Sequence, residues 1–192
     1  MRDRLIVPPQ YLLHSRRRAL SAGSAVLSAA AVALLGGRDA LAAAASAATE
    51  GDVRILNTAL GAEHEAVAAY QVGAESGLLG KAARSVALTF QGHHKEHASA
   101  LASTISKLGG KPVAAKDKYS FPVEKLKTEA DVLRFAAGLE KGAVSAYLGA
   151  VPVFGDRKLA QVAASILGDE AMHWAVLRQV LGDAPVPMAF MS

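Results

Sequence analysis

Cysteine is absent from this chain of 192 residues. A disulfide framework, a thiolate zinc site, a cysteine nucleophile and a lipid-bearing cysteine are therefore all excluded. Aromatic residues are scarce, at 5%, and no stretch interleaves them with basic residues as single-stranded nucleic-acid binders do. No stretch alternates as a β-strand would. What is abundant is apolar: hydrophobic residues make up 52% and charged residues 20%, which excludes a disordered chain. The length admits one domain with a substantial core and an appended segment.

Charge is unevenly placed. Lysine and arginine number 21 against 17 aspartates and glutamates, a net charge of +4 that taken alone suggests an acidic partner. Residues 1–42 hold six arginines against Asp3 and Asp39, which leaves 15 basic and 15 acidic residues in the remainder. The rest of the chain is formally neutral, and no basic face is left to argue for nucleic acid.

The basic N-terminus carries Ser15-Arg16-Arg17-Arg18, and the uncharged run Ala19 to Leu35 follows. Gly36-Gly37 ends the run, and Ala40-Leu41-Ala42 offers a small-x-small cleavage pattern. This is the order of a secretory signal. Ser-Arg-Arg-x-x-Leu resembles a twin-arginine export signal, with one departure at Ala19, where a bulkier apolar residue is usual. Residues 1–42 are predicted to be that signal, cleaved near Ala42, Ala45 or Ala48, with 43–52 as a linker. The product is expected in the periplasm, cell envelope or outside the cell, with no stable membrane insertion. The alternative is a retained anchor. The run has about 17 residues, at the lower limit for a span, and its alanines make it a poor one.

From residue 53 apolar residues recur at helical spacing. Leu56, Leu60, Val67 and Tyr70 mark a first helix, roughly 53–77. Val86, Phe90, Leu101 and Ile105 mark a second, roughly 81–108, stopped by Gly109-Gly110 and Pro112. A lysine-rich connection follows. Leu133, Ala136, Val144 and Tyr147 mark a third, roughly 129–151, ended by Pro152. Leu159, Ala163, Ile166 and Leu177 mark a fourth, roughly 156–181, ended by Gly182. The tail, 184–192, is apolar but broken by proline and is expected to lie over the bundle.

An internal repeat supports this partition. Glu63-His-Glu-Ala-Val-Ala-Ala-Tyr70 matches Glu140-Lys-Gly-Ala-Val-Ser-Ala-Tyr147 at five of eight positions. Gly92, His97 and Leu101 match Gly168, His173 and Leu177. Two helical hairpins joined by a longer crossover make an all-α four-helix bundle.

The informative residues are those that interrupt the apolar seams. Glu63 stands in the first seam, His93 or His94 and then His97 in the second, Glu140 in the third, Glu170 and His173 in the fourth. An unpaired buried charge costs several kcal/mol or is neutralised. Four helices contributing at one level must be compensated together, and a metal cation bound by carboxylate and imidazole does this. Glu170 and His173 are i,i+3, as are His94 and His97, so each pair shares a face. All five histidines beyond residue 42 lie in or beside these positions.

At these residues the chain resembles the ferritin-like family of di-iron and di-manganese carboxylate proteins. That fold places one Glu on each of two helices and Glu-x-x-His on each of the other two. Glu63 matches the first-helix Glu and Glu140 the third-helix Glu. Glu170-Ala-Met-His173 matches the fourth-helix pair, and His97 the second-helix His. The resemblance covers about residues 53–183. It implies bound iron or manganese, dinuclear or mononuclear, held by Glu63, His94, His97, Glu140, Glu170 and His173, and by family expectation a homodimer.

One position departs: residue 94 is His where the family has a bridging Glu. Neutral imidazole offers one lone pair and cannot bridge two ions as a carboxylate can. An altered dinuclear site, a mononuclear site and a decayed site holding a polar network all remain open. His64 and His93 are expected beside the ligands or at the surface, and Glu65 and Glu96 in solvent. Tyr70 and Tyr147 read as core aromatics that hydrogen-bond a carboxylate, and Trp174 as packing. Three functions fit: a metalloprotein reacting with dioxygen or peroxide, a non-enzymatic envelope bundle with a degenerate site, or metal storage.

Overall fold

The computed structural model describes residues 37–191, with side chains from Ala42 onward. Of the expected signal, residues 1–36 lie outside the described residues. The chain divides into two compact units between Ala47 and Ala48; the second carries the core and the site. Among the described residues there are four α-helices, two short 3-10 helices and no strand. The α-helices are α1 (Gly37–Glu75), α2 (Lys81–Lys107), α3 (Glu129–Ala150) and α4 (Arg157–Val180). The all-α four-helix reading is correct.

Three of the four helices keep the bounds expected from the seams to within a residue or so, because local chemistry sets their ends. Thr128 caps α3: its side chain accepts from Asp131 N–H while Asp131 reaches back to the Thr128 backbone, a reciprocal capping box. Helix α2 ends in a Schellman motif, with Gly109 N–H bonded to Ser106 C=O and Gly110 N–H to Ile105 C=O. Helix α4 ends the same way, from Gly182 to Gln179 and from Asp183 to Arg178. Gly109 and Gly182 both have φ +80°, which only glycine adopts at little cost.

Helix α1 differs from expectation at its start. Residues 43–52, read as a linker, are helical. The stretch is rich in alanine, the best helix former, but its side chains from 42 to 48 are exposed. With nothing apolar to bury it shows no seam, so periodicity could not find it.

Two apolar clusters form the core. The first gathers Leu56 and Leu60 of α1, Leu101 and Ile105 of α2, Tyr147 of α3, and Leu159, Ala163 and Ile166 of α4. The second gathers Tyr70, Phe90, Leu133, Ala137, Trp174 and Leu177. Leu60 and Ile105 have no exposed surface; burying such a side chain contributes roughly 1.5–3 kcal/mol.

The clusters also order the helices. Chain direction runs from first cluster to second along α1 and α4, and from second to first along α2 and α3. The connection from 108 to 128 therefore returns along the bundle as the single long crossover. Asn57 pins its beginning to α1, donating to Lys111 C=O at 3.1 Å and accepting from Val113 N–H at 2.7 Å. The α3–α4 turn is pinned to α1 by buried Asp52, which accepts from Gly155 N–H and Asp156 N–H at 2.8 and 3.0 Å. In the tail, Met191 packs against the second cluster while Phe190 is exposed.

On α3 the buried seam is Leu133, Ala137, Glu140, Val144 and Tyr147. The expected Ala136 is only half-buried. The observed set follows 4-3-4-3 spacing through Glu140, the period a packed helix needs. On α2 it is His94, not His93, that is buried.

A candidate metal centre between the two apolar clusters

In every helix the residue between first-cluster and second-cluster positions is ionisable. Glu63 lies between Leu60 and Tyr70, His94 and His97 between Phe90 and Leu101, Glu140 between Ala137 and Tyr147, and Glu170 and His173 between Ile166 and Leu177. Glu63, His94, Glu140, Glu170 and His173 are all 3% exposed or less, and the His97 side chain is 15% exposed. All six residues expected at the site are brought together.

They form two groups of donor atoms that share two residues. The first group is Glu63, His94, His97 and Glu170. His94 Nδ1 lies 2.8 Å from Glu63 Oε2 and 3.5 Å from Glu170 Oε1. His97 Nδ1 lies 3.1 Å from Glu170 Oε1 and 3.6 Å from Glu63 Oε2. The second group is His94, Glu140, Glu170 and His173. Glu140 Oε1 lies 3.3 Å from His94 Nε2 and 3.6 Å from His173 Nδ1, which is 3.3 Å from Glu170 Oε2. A tetrahedral ion with bonds near 2.0–2.1 Å separates its ligands by about 3.3 Å, so both groups have the span of a coordination shell.

Hydrogen bonding gives an independent test of fit. Buried polar atoms are nearly always partnered. Here His97 Nδ1, His173 Nδ1, both oxygens of Glu170 and Glu140 Oε2 are buried without a hydrogen-bond partner. Four of these five atoms belong to the two donor groups. The arrangement of oxygen and imidazole donors fits iron, manganese or zinc.

Electrostatics in the metal-free chain pair carboxylate with imidazole. Burial by itself lowers the pKa of His94, but hydrogen bonds to Glu140 and Glu63 outweigh it and raise the group to about 10. Burial opposes the rise at His97 and His173 too, but Glu170 and Glu63 raise His97 to about 9, and Glu140 and Glu170 raise His173 to about 9. Burial would raise Glu63 and Glu140, but the histidines facing them carry both below the usual carboxylate value.

The terminal carboxylates are each held by a tyrosine from the opposite half of the repeat. Tyr147 OH on α3 donates to Glu63 Oε1 at 2.6 Å, and Tyr70 OH on α1 donates to Glu140 Oε1. The expected tyrosine–carboxylate bonds are present. Burial, then the carboxylate each faces, pushes both phenols far above their usual pKa, so they stay protonated donors.

One residue escaped the sequence reading. Asp169 Oδ2 lies 3.4 Å from His97 Nε2 and 3.2 Å from His173 Nε2, the outer nitrogens of the two rings, and 3.2 Å from His93 Nδ1. Such a carboxylate fixes which ring nitrogen faces inward. Asp169 sits beside Glu170 and off the seam; its i,i+4 relation to His173 was the available signal. His93, half-exposed, also stands 2.9 Å from His173 Nε2. Phe90 stacks on the His173 ring at 4.0 Å. Glu96 is exposed, Trp174 is buried, and His64 lines a groove beneath the crossover, away from the donor groups. Glu65, expected in solvent, is half-buried because it lines a cavity between α1 and α3.

That cavity has a volume of about 250 Å³ and reaches Glu63, His94 and Glu140. Ala62, Ala66, Gly138, Gly142 and Ala143 supply its small walls.

The profile of the ferritin-like domain family matches residues 51–183. Two solved structures share the fold. One is a conserved hypothetical protein from Mycobacterium tuberculosis, TM-score 0.65 and 22% identical, covering 74% of this chain and 99% of that one. The other is a ferritin-like, diiron-carboxylate protein from Bacillus anthracis, TM-score 0.60 and 18% identical, covering 70% and 97%. No curated protein matches the chain.

Proposed function

The chain belongs to the ferritin-like domain family, and from that premise we propose that it is an exported protein binding two ions of iron or manganese and acting as an oxidoreductase toward dioxygen or peroxide. The observation that carries the reading is the set of buried nitrogen and oxygen atoms, converging from α2, α3 and α4, that make no hydrogen bond. A polar network that served only the fold would leave few such atoms, since each costs about 1–3 kcal/mol.

Glu63, His94, His97 and Glu170 would hold one ion, and His94, Glu140, Glu170 and His173 the other. When bound, iron or manganese supplies one-electron redox chemistry. The chain's own residues do the rest. The two apolar clusters keep bulk water from both ends of the centre. Tyr70 and Tyr147 orient the terminal carboxylates. Asp169 faces the outer nitrogens of His97 and His173, and His93 also stands on the outer nitrogen of His173. The cavity between α1 and α3 admits an oxidant of a few atoms and excludes larger substrates.

Export is proposed from Arg16-Arg17 and the uncharged run after them. Among the described residues no helix is long and apolar enough to cross a membrane.

The test is the metal content of protein purified after native export, followed by oxygen consumption. About two equivalents of iron or manganese with oxygen uptake is the expected result. Uptake of metal without oxygen consumption would mark a storage protein. Under about a tenth of an equivalent, with an unchanged melting temperature after chelation, would sink the metalloprotein reading. Replacing Arg16-Arg17 by Lys-Lys should block export; unchanged export removes the twin-arginine route.

A further inference from the structure

His94 differs from the other two histidines of the centre in what faces its ring. His97 and His173 each turn Nδ1 inward to ligand carboxylates and Nε2 outward to Asp169. That is the usual arrangement of a histidine serving one ion, with the second nitrogen held by a carboxylate outside the shell. His94 has no such outer partner: its Nδ1 faces Glu63 and Glu170 in one donor group, and its Nε2 faces Glu140 in the other. The ring is 1% exposed, so neither nitrogen is turned to solvent.

Glu170 is divided in the same way, with Oε1 in the first group and Oε2 in the second. Two residues therefore span the groups, one by a carboxylate and one by a ring.

We propose that His94 bridges the two ions as an imidazolate, Nδ1 on the ion held with Glu63 and His97, Nε2 on the ion held with Glu140 and His173. This rests on the two-ion reading above and adds how the ions are joined. Neutral imidazole has one lone pair and one N–H. With carboxylates on both edges the metal-free ring holds a proton on each nitrogen; each ion replaces one, both protons leave to solvent, and the ring then carries one negative charge. A neutral ring cannot bridge, but a ring flanked by two cations can lose its last proton, as groups bound to a cation do. The bridge is longer than a carboxylate. It sets the ions farther apart than the roughly 3.5–4 Å of common two-metal sites.

The test loads the full chain, with nitrogen-15 in its histidines, with spin-active cadmium(II) and reads one-bond cadmium–nitrogen couplings by NMR. The expected result is two cadmium ions per chain and one histidine coupled at both ring nitrogens, with His97 and His173 coupled at Nδ1 alone. His94→Gln should erase the doubly coupled ring and reduce binding to one ion. His94→Glu restores a carboxylate bridge and should keep two ions without any doubly coupled histidine, which also guards against a variant that fails to fold. Two ions with every histidine coupled at one nitrogen would overturn the bridge and leave the metal reading standing. A single bound ion, with His94 coupled once, overturns the bridge as well. No bound ion overturns both.

Discussion

Tyr147 donates its hydroxyl to Glu63 Oε1 at 2.6 Å, from α3 to α1, and Tyr70 returns the same bond from α1 to Glu140 on α3. The pairing follows from the repeat: Glu63 and Tyr70 are seven residues apart, as are Glu140 and Tyr147. Seven residues drift only about 20° around a helix, so both side chains face the partner helix. Tyr147→Phe should keep the fold and lower affinity for one ion by roughly tenfold to a hundredfold, the usual cost of removing a ligand's support. Tyr70→Phe should do so for the other ion. Calorimetric titration with manganese or zinc reads this; equal affinities in variant and parent would remove the supporting role.

Asp169 touches both outward-facing rings, so its loss should weaken both ions together. Asp169→Asn is expected to lower each affinity by about tenfold or more. A titration in which only one of two binding steps weakens would contradict the shared role.

Glu170 alone among the carboxylates has an oxygen in each donor group. Glu170→Gln should therefore reduce uptake of both ions by on the order of a hundredfold or more while helical circular dichroism stays unchanged, since an amide offers far weaker donors to a hard cation. Retention of two tightly bound ions would show that the centre does not depend on it.

Stability and metal binding should move oppositely with pH. His94, His97 and His173 have folded-state pKa values raised to about 10, 9 and 9 from a usual 6.5. A raised pKa means that the folded chain holds the proton more tightly than the unfolded one. The stabilisation is complete below about 6.5 and is lost as pH rises through 9 to 10. The melting temperature of the metal-free chain should therefore fall across that range. Metal competes for the same nitrogens, so its affinity should rise with pH over the same window, with protons released on uptake. A flat metal-free melting profile from pH 6.5 to 10 would refute this account.

Asp52 tests the scaffold apart from the centre. Asp52→Ala leaves the N–H groups of Gly155 and Asp156 without their buried acceptor. A loss of about 1–3 kcal/mol is expected in a denaturant titration, with metal stoichiometry retained in the folded protein.

Much of this was legible from residue spacing. The ends of α2 and α4 are written in Gly109 and Gly182, because capping is a local matter of a few bonds. Glu63, His97, Glu140, Glu170 and His173 were legible as interruptions of apolar seams, because a buried ionisable residue is anomalous on its own helix. The N-terminal extension of α1 was not, because its side chains from 42 to 48 are exposed and leave no apolar pattern. Asp169 was missed because its importance lies in three rings from two helices meeting one oxygen.

Residue order and composition suffice to show a helical bundle with carboxylates and imidazoles at one level and no thiolate to help them. Helical periodicity and the absence of cysteine suffice for that. Residue order placed either His93 or His94 in the core and left the role of His94 open. Helix packing is what buries His94 and turns its two ring nitrogens to different donor groups. Spacing along one helix gives a side chain's direction but not which atoms of three other helices meet each edge of its ring. That meeting is set by how the helices pack.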